Sequence, residues 1–240
     1  MEPELISLIP ATFITLLGAG IPSLIWLFFF LKEDLHPEPK RIIALTFGAG
    51  AFVSVFILSI QYVLDSLMFG IPELLIFSVF SLALIEEIFK FLAAYWCVSR
   101  DRAFDEPVDA MIYMAAAALG FASVENLFIF AGSLSSIISL SIPEILDTFV
   151  LRFFGATLLH ATSSALVGFY WAKGKILGKK WGNILFGIFI ATTLHAAFNL
   201  LILRFQGENL FLYPGMFLIL SIFLVLSDFE KLKTKYLKKQ

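Results

Sequence analysis

Charge is scarce in this sequence. Only 15% of its 240 residues are Asp, Glu, Lys or Arg, and 60% are apolar. Soluble domains carry about a quarter charged residues, so an ordinary soluble enzyme is excluded. The mean hydropathy of +0.92 says the same. The two signs nearly cancel, at a formal net charge of −2, so nothing indicates a nucleic-acid partner. Cysteine is almost missing. Cys97 is the only one, which rules out an intrachain disulfide. The N-terminal "MEPELISLIP" lacks the basic region of a cleavable signal peptide, and the apolar stretch it opens is too long for one. It reads as a retained span. No internal repeat and no low-complexity linker is visible, which weakens an inverted-repeat transporter reading.

What is present is a series of long apolar runs. A hydrocarbon core of ~30 Å takes about 20 apolar residues per helix. Seven runs meet that length: Leu5–Leu31, Ile42–Met68, Leu74–Val98, Pro107–Ala131, Leu146–Ala172, Trp181–Leu203 and Leu210–Ser227. The fold class is therefore all-α, a polytopic transmembrane helical bundle of about seven spans with no room for a soluble domain. Pro10 and "GAGIP" predict a kink or break in the first span. Basic residues set the orientation. "KEDLHPEPKR" carries three, "SRDRAFDE" two, "KGKILGKK" four and the tail "DFEKLKTKYLKKQ" five. The alternate loops "FGIPE" and "GSLSSIISLSIPEI" carry none, and "RFQGEN" one. This places the N-terminus outside and the C-terminus in the cytoplasm, with the tail, residues 228–240, as an anchor at the lipid bilayer surface or, on a sharper reading, a partner-binding segment.

The loops are short, so the chemistry belongs inside the membrane. There a charge costs about 2.5–3.5 kcal/mol at the bilayer centre. The third span nevertheless has Glu86, Glu87 and Lys90. The fourth has Glu125 and Asn126, the fifth Arg152, His160, Ser163 and Ser164, and the sixth His195 and Asn199. Because successive spans run in opposite directions, depths can be compared. At ~1.5 Å per residue, the three glutamates and two histidines fall within about 10 Å of one level. Glu86 and Lys90 are spaced i,i+4, as an ion pair on one helix requires, and Lys90 can also reach Glu87. One carboxylate remains over. Helix geometry puts that surplus on Glu87, facing the site. His195 and Asn199 share a face. Asp65, Asn183 and His36 look interfacial or loop-borne and receive no role. "AAAALGFAS" and "GATLLHATSSALVG" predict close helix packing around these groups.

Carboxylates and imidazoles can hold and deprotonate a water, or bind Zn²⁺, which lowers the pKa of its water toward ~7. Glu125, His160 and His195 would serve as zinc ligands with Glu86 or Glu87 as base. Asn199 would donate to a tetrahedral oxyanion. "HExxH" is absent. The competing readings are a proton- or cation-coupled transporter and a non-catalytic membrane scaffold.

Four segments in order resemble the PrsW family of intramembrane proteases, within the wider superfamily that includes the CAAX prenyl proteases. "EEIFK" (Glu86–Lys90) is similar to the family's EExxK. "DEPVDAMIYMAAAALGFASVEN" resembles its acidic-loop-to-helix block, ending in FxxxEN at Phe121–Asn126. "RFFGATLLHATSSALVG" resembles its arginine and histidine segment, and "HAAFN" (His195–Asn199) its HxxxN. "HPEPKR" resembles its first cytoplasmic loop. The resemblance covers Glu33 to about Leu200. It implies a multi-pass protease of a prokaryotic plasma membrane, acting on single-pass membrane protein substrates by site-1-type cleavage, anti-sigma factors among them. The implied unit is a single membrane protease domain, 1–240, with its core at about 74–203. The implied catalytic residues are Glu86, Glu87, Glu125, His160, His195 and Asn199, supported by Lys90, Asn126 and Arg152. CAAX proteases end the first motif in arginine one residue later and have FxxxH. Lys90 and Glu125 stand here instead, so prenyl-CAAX specificity is not implied. Analogy to those enzymes makes the first glutamate, Glu86, the water-activating one, against the helix-geometry reading. Metal dependence stays open.

Overall fold

A computed structural model describes residues 3–68, 74–132, 142–205 and 209–237. They form eight α-helices with no strand among them: α1 (Pro3–Leu31), α2 (Lys40–Met68), α3 (Leu75–Val98), α4 (Asp109–Gly132), α5 (Ile142–Val150), α6 (Leu158–Leu177), α7 (Lys180–Arg204) and α8 (Asn209–Leu237). A π-helical segment, Leu151–Thr157, joins α5 to α6 without a break. The loops "FGIPE" and "GSLSSIISLSIPEI" lie wholly or largely outside the described residues, and half of "RFQGEN" does.

Six helical stretches are long and apolar enough to cross a membrane: 12–31, 40–64, 109–132, 146–177, 180–204 and 212–236. Helix α3 has 24 residues, also a membrane-crossing length. It falls short on composition because it carries Glu86, Glu87 and Lys90. Two details differ from the sequence reading. The helix α1 runs through Gly18–Pro22 unbroken, because a proline needs only the loss of one backbone bond, which a long packed helix tolerates. The basic tail is not a separate segment up to residue 237, since α8 continues through it.

The centre of the bundle is α4, whose residues 109–122 are all buried. Small side chains make that possible. A Cβ on Gly50 of α2 would lie 1.8 Å from the Ala117 carbonyl oxygen, and one on Gly120 of α4 would lie 1.9 Å from that of Phe47. The two backbones therefore touch, as glycine alone allows. Helix α6 packs on the other side of α4 and ends at Gly178, whose φ of 71° is the left-handed cap expected there.

All the basic segments meet at one end. Lys233 of α8 pairs with Glu33 after α1 at 2.7 Å. Lys175 of α6 donates to the Phe104 carbonyl between α3 and α4 at 3.2 Å. Lys180 of α7 donates to the Tyr95 hydroxyl of α3 at 3.0 Å. Phe91, Tyr95, Phe104 and Trp171 stack beneath these contacts, with Phe104 and Trp171 centroids 4.7 Å apart. The π-helical segment is held to α1 by Trp26, whose indole N–H donates to the Phe153 carbonyl at 2.9 Å.

Candidate active site

Helix α3 turns Glu86, Glu87 and Lys90 toward α6 and α7, and the three charges find partners there. The Lys90 ammonium has three N–H donors and no acceptor. It spends them on Glu86 Oε2 at 3.2 Å, Glu87 Oε1 at 3.0 Å and His160 Nδ1 at 2.8 Å. It also sits 4.6 Å over the Phe121 ring of α4. Lys90 is fully buried, and this complete set of partners is what makes a buried ammonium tolerable.

Glu87 is the more enclosed of the two adjacent glutamates. Its side chain is 0% exposed, against 11% for Glu86. Besides Lys90 it accepts from Ser163 Oγ at 3.0 Å, Ser164 Oγ at 2.7 Å and His195 Nδ1 at 3.0 Å. Glu86, by contrast, lines a cavity of about 500 Å³ together with Glu125, Arg152, His160, His195 and Asn199. The helix-geometry expectation that Glu87 faces the site is thus reversed. The serine pair on α6 draws Glu87 into the protein, and rotation of α3 leaves Glu86 toward the open space.

These contacts fix the imidazoles. Lys90 only donates, so Nδ1 of His160 accepts and its Nε2–H donates to Glu125 Oε2 at 2.8 Å. The Glu87 carboxylate only accepts, so His195 carries its proton on Nδ1. That leaves the Nε2 lone pair free, 3.8 Å from Glu86 Oε2. A carboxylate behind an imidazole orients the ring and raises the basicity of its outer nitrogen. The two rings lie 5.0 Å apart, edge to face.

Glu125 is held differently. Arg152, in the π-helical segment, donates to Glu125 Oε2 at 2.8 Å and through Nε to Asn126 Oδ1 at 2.5 Å. Asn126 in turn donates to Thr157 Oγ1 at 3.0 Å. Arg152, Glu125 and Asn126 form one clamp, with Asn126 fully buried behind it. Asn199, one turn after His195, lines the cavity as its shared face predicts.

Every site residue expected from the sequence is in this constellation. Ser163, Ser164 and Thr157 had no assigned part, yet they hold Glu87 and Asn126. The signal was available for the serines, which follow His160 by three and four residues on one helical face. Gln61 of α2 also lines the cavity, and no sequence pattern marks it.

A donor group with metal-ligand spacing is present: Glu86, His160 and His195 each offer an atom within 4.8 Å of the others. Glu125 is not in it; its Oε2 accepts from both Arg152 and His160 Nε2. His160 Nδ1 and His195 Nε2 stand 3.7 and 3.8 Å from Glu86 Oε2, near the ~3.4 Å edges of a zinc tetrahedron. The ammonium of Lys90, however, already sits on Glu86 Oε2 and His160 Nδ1. A divalent cation there would stand beside a positive charge and compete with it for two of its three ligand atoms. As arranged, these donors do not fit zinc, and no step below runs through a metal.

Comparison with known proteins identifies the family, whose description as a metalloprotease differs from the metal-free arrangement of these donors. A family model described as PrsW family intramembrane metalloprotease matches residues 38–227, which include every residue named above at the site. "Protease PrsW" of Geobacillus kaustophilus is 31% identical over 214 residues, covering 85% of this chain and 86% of that protein. "Protease PrsW" of Oceanobacillus iheyensis is 29% identical, covering 86% and 91%. The Bacillus subtilis protein of the same name is 26% identical, covering 84% and 88%. No solved structure matches the chain. The match spans most of the chain and includes all four motifs, so the chain belongs to the PrsW family of intramembrane proteases.

Proposed function

We propose that this protease hydrolyses peptide bonds with a water held between Glu86 and His195 Nε2. The carrying observation is that the two acceptors face one cavity 3.8 Å apart, close enough for one water on the cavity side to donate to both. Each accepts one of its hydrogens, which leaves an oxygen lone pair for attack on the scissile carbonyl. Glu86 takes the proton as the C–O bond forms. The Asn199 side-chain amide, on the same wall, donates to the developing oxyanion. When the C–N bond breaks, Glu86 returns the proton to the leaving amine. The product carboxyl keeps the hydroxyl oxygen. Glu87 never reacts; it holds His195 in the tautomer that accepts. Zn²⁺ would enter only after Lys90 withdraws, so cleavage is expected to proceed without it.

The substrate is a single-pass membrane protein, anti-sigma factors being the class the family resemblance suggests. A second, apolar cavity of about 220 Å³ supports lateral access. It shares Leu151, Gly155, Phe198 and Ile202 with the polar one and extends along Pro214 and Gly215 of α8. With α3 counted, the chain has seven spans, an outside N-terminus and a cytoplasmic C-terminus. The shared basic end of the bundle supports that orientation, and the membrane is a prokaryotic plasma membrane. The transporter and scaffold readings gain nothing from the family match. Cleavage of a panel of single-span reporters in proteoliposomes tests the proposal. Loss of cleavage in Glu86→Gln is expected; unchanged cleavage would refute it.

A further inference from the structure

A second cluster of carboxylates stands at the basic end of the bundle, on elements the mechanism does not use. The loop after α1 supplies Asp34 and Glu38. The segment entering α4 supplies Asp105, Glu106 and Asp109. Asp34, Glu106 and Asp109 each present an oxygen within 4.8 Å of the other two, and so do Glu38, Asp105 and Asp109. Asp109 is common to both groups, so the two triads adjoin at this buried carboxylate.

Proximity alone would mean little, since acidic clusters often need only water. Here two of the members are sealed from water. Glu106 is 4% exposed and Asp109 0%. Each has one oxygen satisfied: Glu106 Oε1 by His36 Nδ1, and Asp109 Oδ2 by the Glu106 backbone N–H at 2.6 Å. Their other oxygens, Glu106 Oε2 and Asp109 Oδ1, are buried without any hydrogen-bond partner. Two orphaned carboxylate oxygens in one cluster call for a cation or a proton.

Lys175 lies near enough to Asp109 and Asp105 for their charges to act on it, but neither orphaned oxygen receives a hydrogen bond from it. Lys175 gives its Nζ to the Phe104 carbonyl and lies 3.5 Å over the Phe104 ring. His36 reaches only the oxygen of Glu106 already counted. Asp34 spends its carboxylate on the backbone N–H groups of His36 and Glu38, at 3.3 and 3.1 Å, which fixes the loop around the cluster. The Tyr113 hydroxyl donates to Glu38 Oε2. Burial raises the pKa values of Asp34 and Glu38, and neighbouring carboxylates add to the rise.

We propose that Asp34, Glu106 and Asp109, completed by Glu38 and Asp105, bind a hard divalent cation. An all-oxygen, carboxylate-rich set selects Mg²⁺, Ca²⁺ or Mn²⁺ over softer metals. The ion joins the 32–39 loop to the first turn of α4, the helix that carries Glu125 and Asn126. It is distinct from any metal at the membrane-buried site, because the two groups share no residue. The competing arrangement is a proton shared between Glu38 and Asp109, whose side chains are in contact.

Mn²⁺ titration of the chelator-treated full chain in detergent, followed by the loss of the free-ion electron paramagnetic resonance signal, tests this. Wild type is expected to bind one Mn²⁺ per chain, displaced by Mg²⁺ or Ca²⁺. Glu106→Gln and Asp105→Asn are expected to weaken binding at least about tenfold, while Glu86→Gln leaves it unchanged. Asp105 is exposed, so its variant folds even if the buried ones do not. A folded wild type that binds no Mn²⁺ below about 1 mM would overturn the proposal in favour of the shared proton. So would binding that survives Glu106→Gln and Asp105→Asn but is lost in Glu86→Gln.

Discussion

The ammonium of Lys90 on α3 donates to Nδ1 of His160 on α6 across 2.8 Å. Because the same ammonium also holds Glu86 and Glu87, one side chain on one helix balances the two glutamates and orients an imidazole on another. Lys90→Met leaves both carboxylates without their common counter-charge. Breaking a buried pair from one side costs about 3–5 kcal/mol, so a fall in thermal stability of that order is expected in detergent. Unchanged stability would mean that the ammonium is not the counter-charge of this site.

Glu87 acts through His195. Glu87→Gln keeps a hydrogen-bonding group beside Ser163 and Ser164 but no longer requires His195 to carry its proton on Nδ1. The loss of an orienting carboxylate reduces activity by about 10- to 100-fold. The reduction should appear in kcat, with KM for a reporter helix little changed. A KM effect alone would place Glu87 in substrate binding instead.

Asn199→Ala removes the donor assigned to the oxyanion. A fall in kcat of about 10²–10³ is expected, with the cavity and stability intact. Asn199→Asp, similar in size but unable to donate when ionised, should be equally impaired. Activity in the aspartate variant close to wild type would exclude the role.

Chelators are expected to leave cleavage unchanged, because Lys90 holds two of the three atoms a zinc ion would need. The assay is run without Mg²⁺ or Ca²⁺ in either arm, so that the acidic cluster at the basic end is treated alike in both. Loss of activity restored by Zn²⁺ but not by Mg²⁺ would show that Lys90 moves aside for a metal.

Gly50→Ala places a methyl carbon where the Ala117 carbonyl oxygen stands 1.8 Å away. Backbone must shift, and overpacking of this kind costs about 1–3 kcal/mol. Lower thermal stability is expected, while Gly48→Ala, whose Cβ meets nothing within 4 Å, serves as the neutral control.

Much of this architecture was legible because its signals are local. Apolar runs marked α1, α2, α3, α4 and α7 to within a few residues, and the i,i+4 spacing of His195 and Asn199 put both on the cavity wall. What could not be read depends on partners far along the chain. Which glutamate faces the cavity is decided by Ser163 and Ser164, 76 and 77 residues after Glu87. The π-helical turn that carries Arg152 to Glu125 has no signature in the run Leu146–Ala172, which reads as one regular helix. The carboxylates of residues 34–38 and 105–109 sit in two separate segments, and nothing in either shows that folding brings the other beside it and seals two oxygens from water.

The most direct test compares single-turnover cleavage of one single-span reporter in proteoliposomes by wild type, Glu86→Gln and Glu87→Gln, with thermal stability measured alongside. If Glu86 activates the water, Glu86→Gln abolishes cleavage without loss of stability, while Glu87→Gln retains a slow rate and melts earlier. Cleavage by Glu86→Gln near the wild-type rate, with none by Glu87→Gln, would contradict the account and move the base to the buried glutamate.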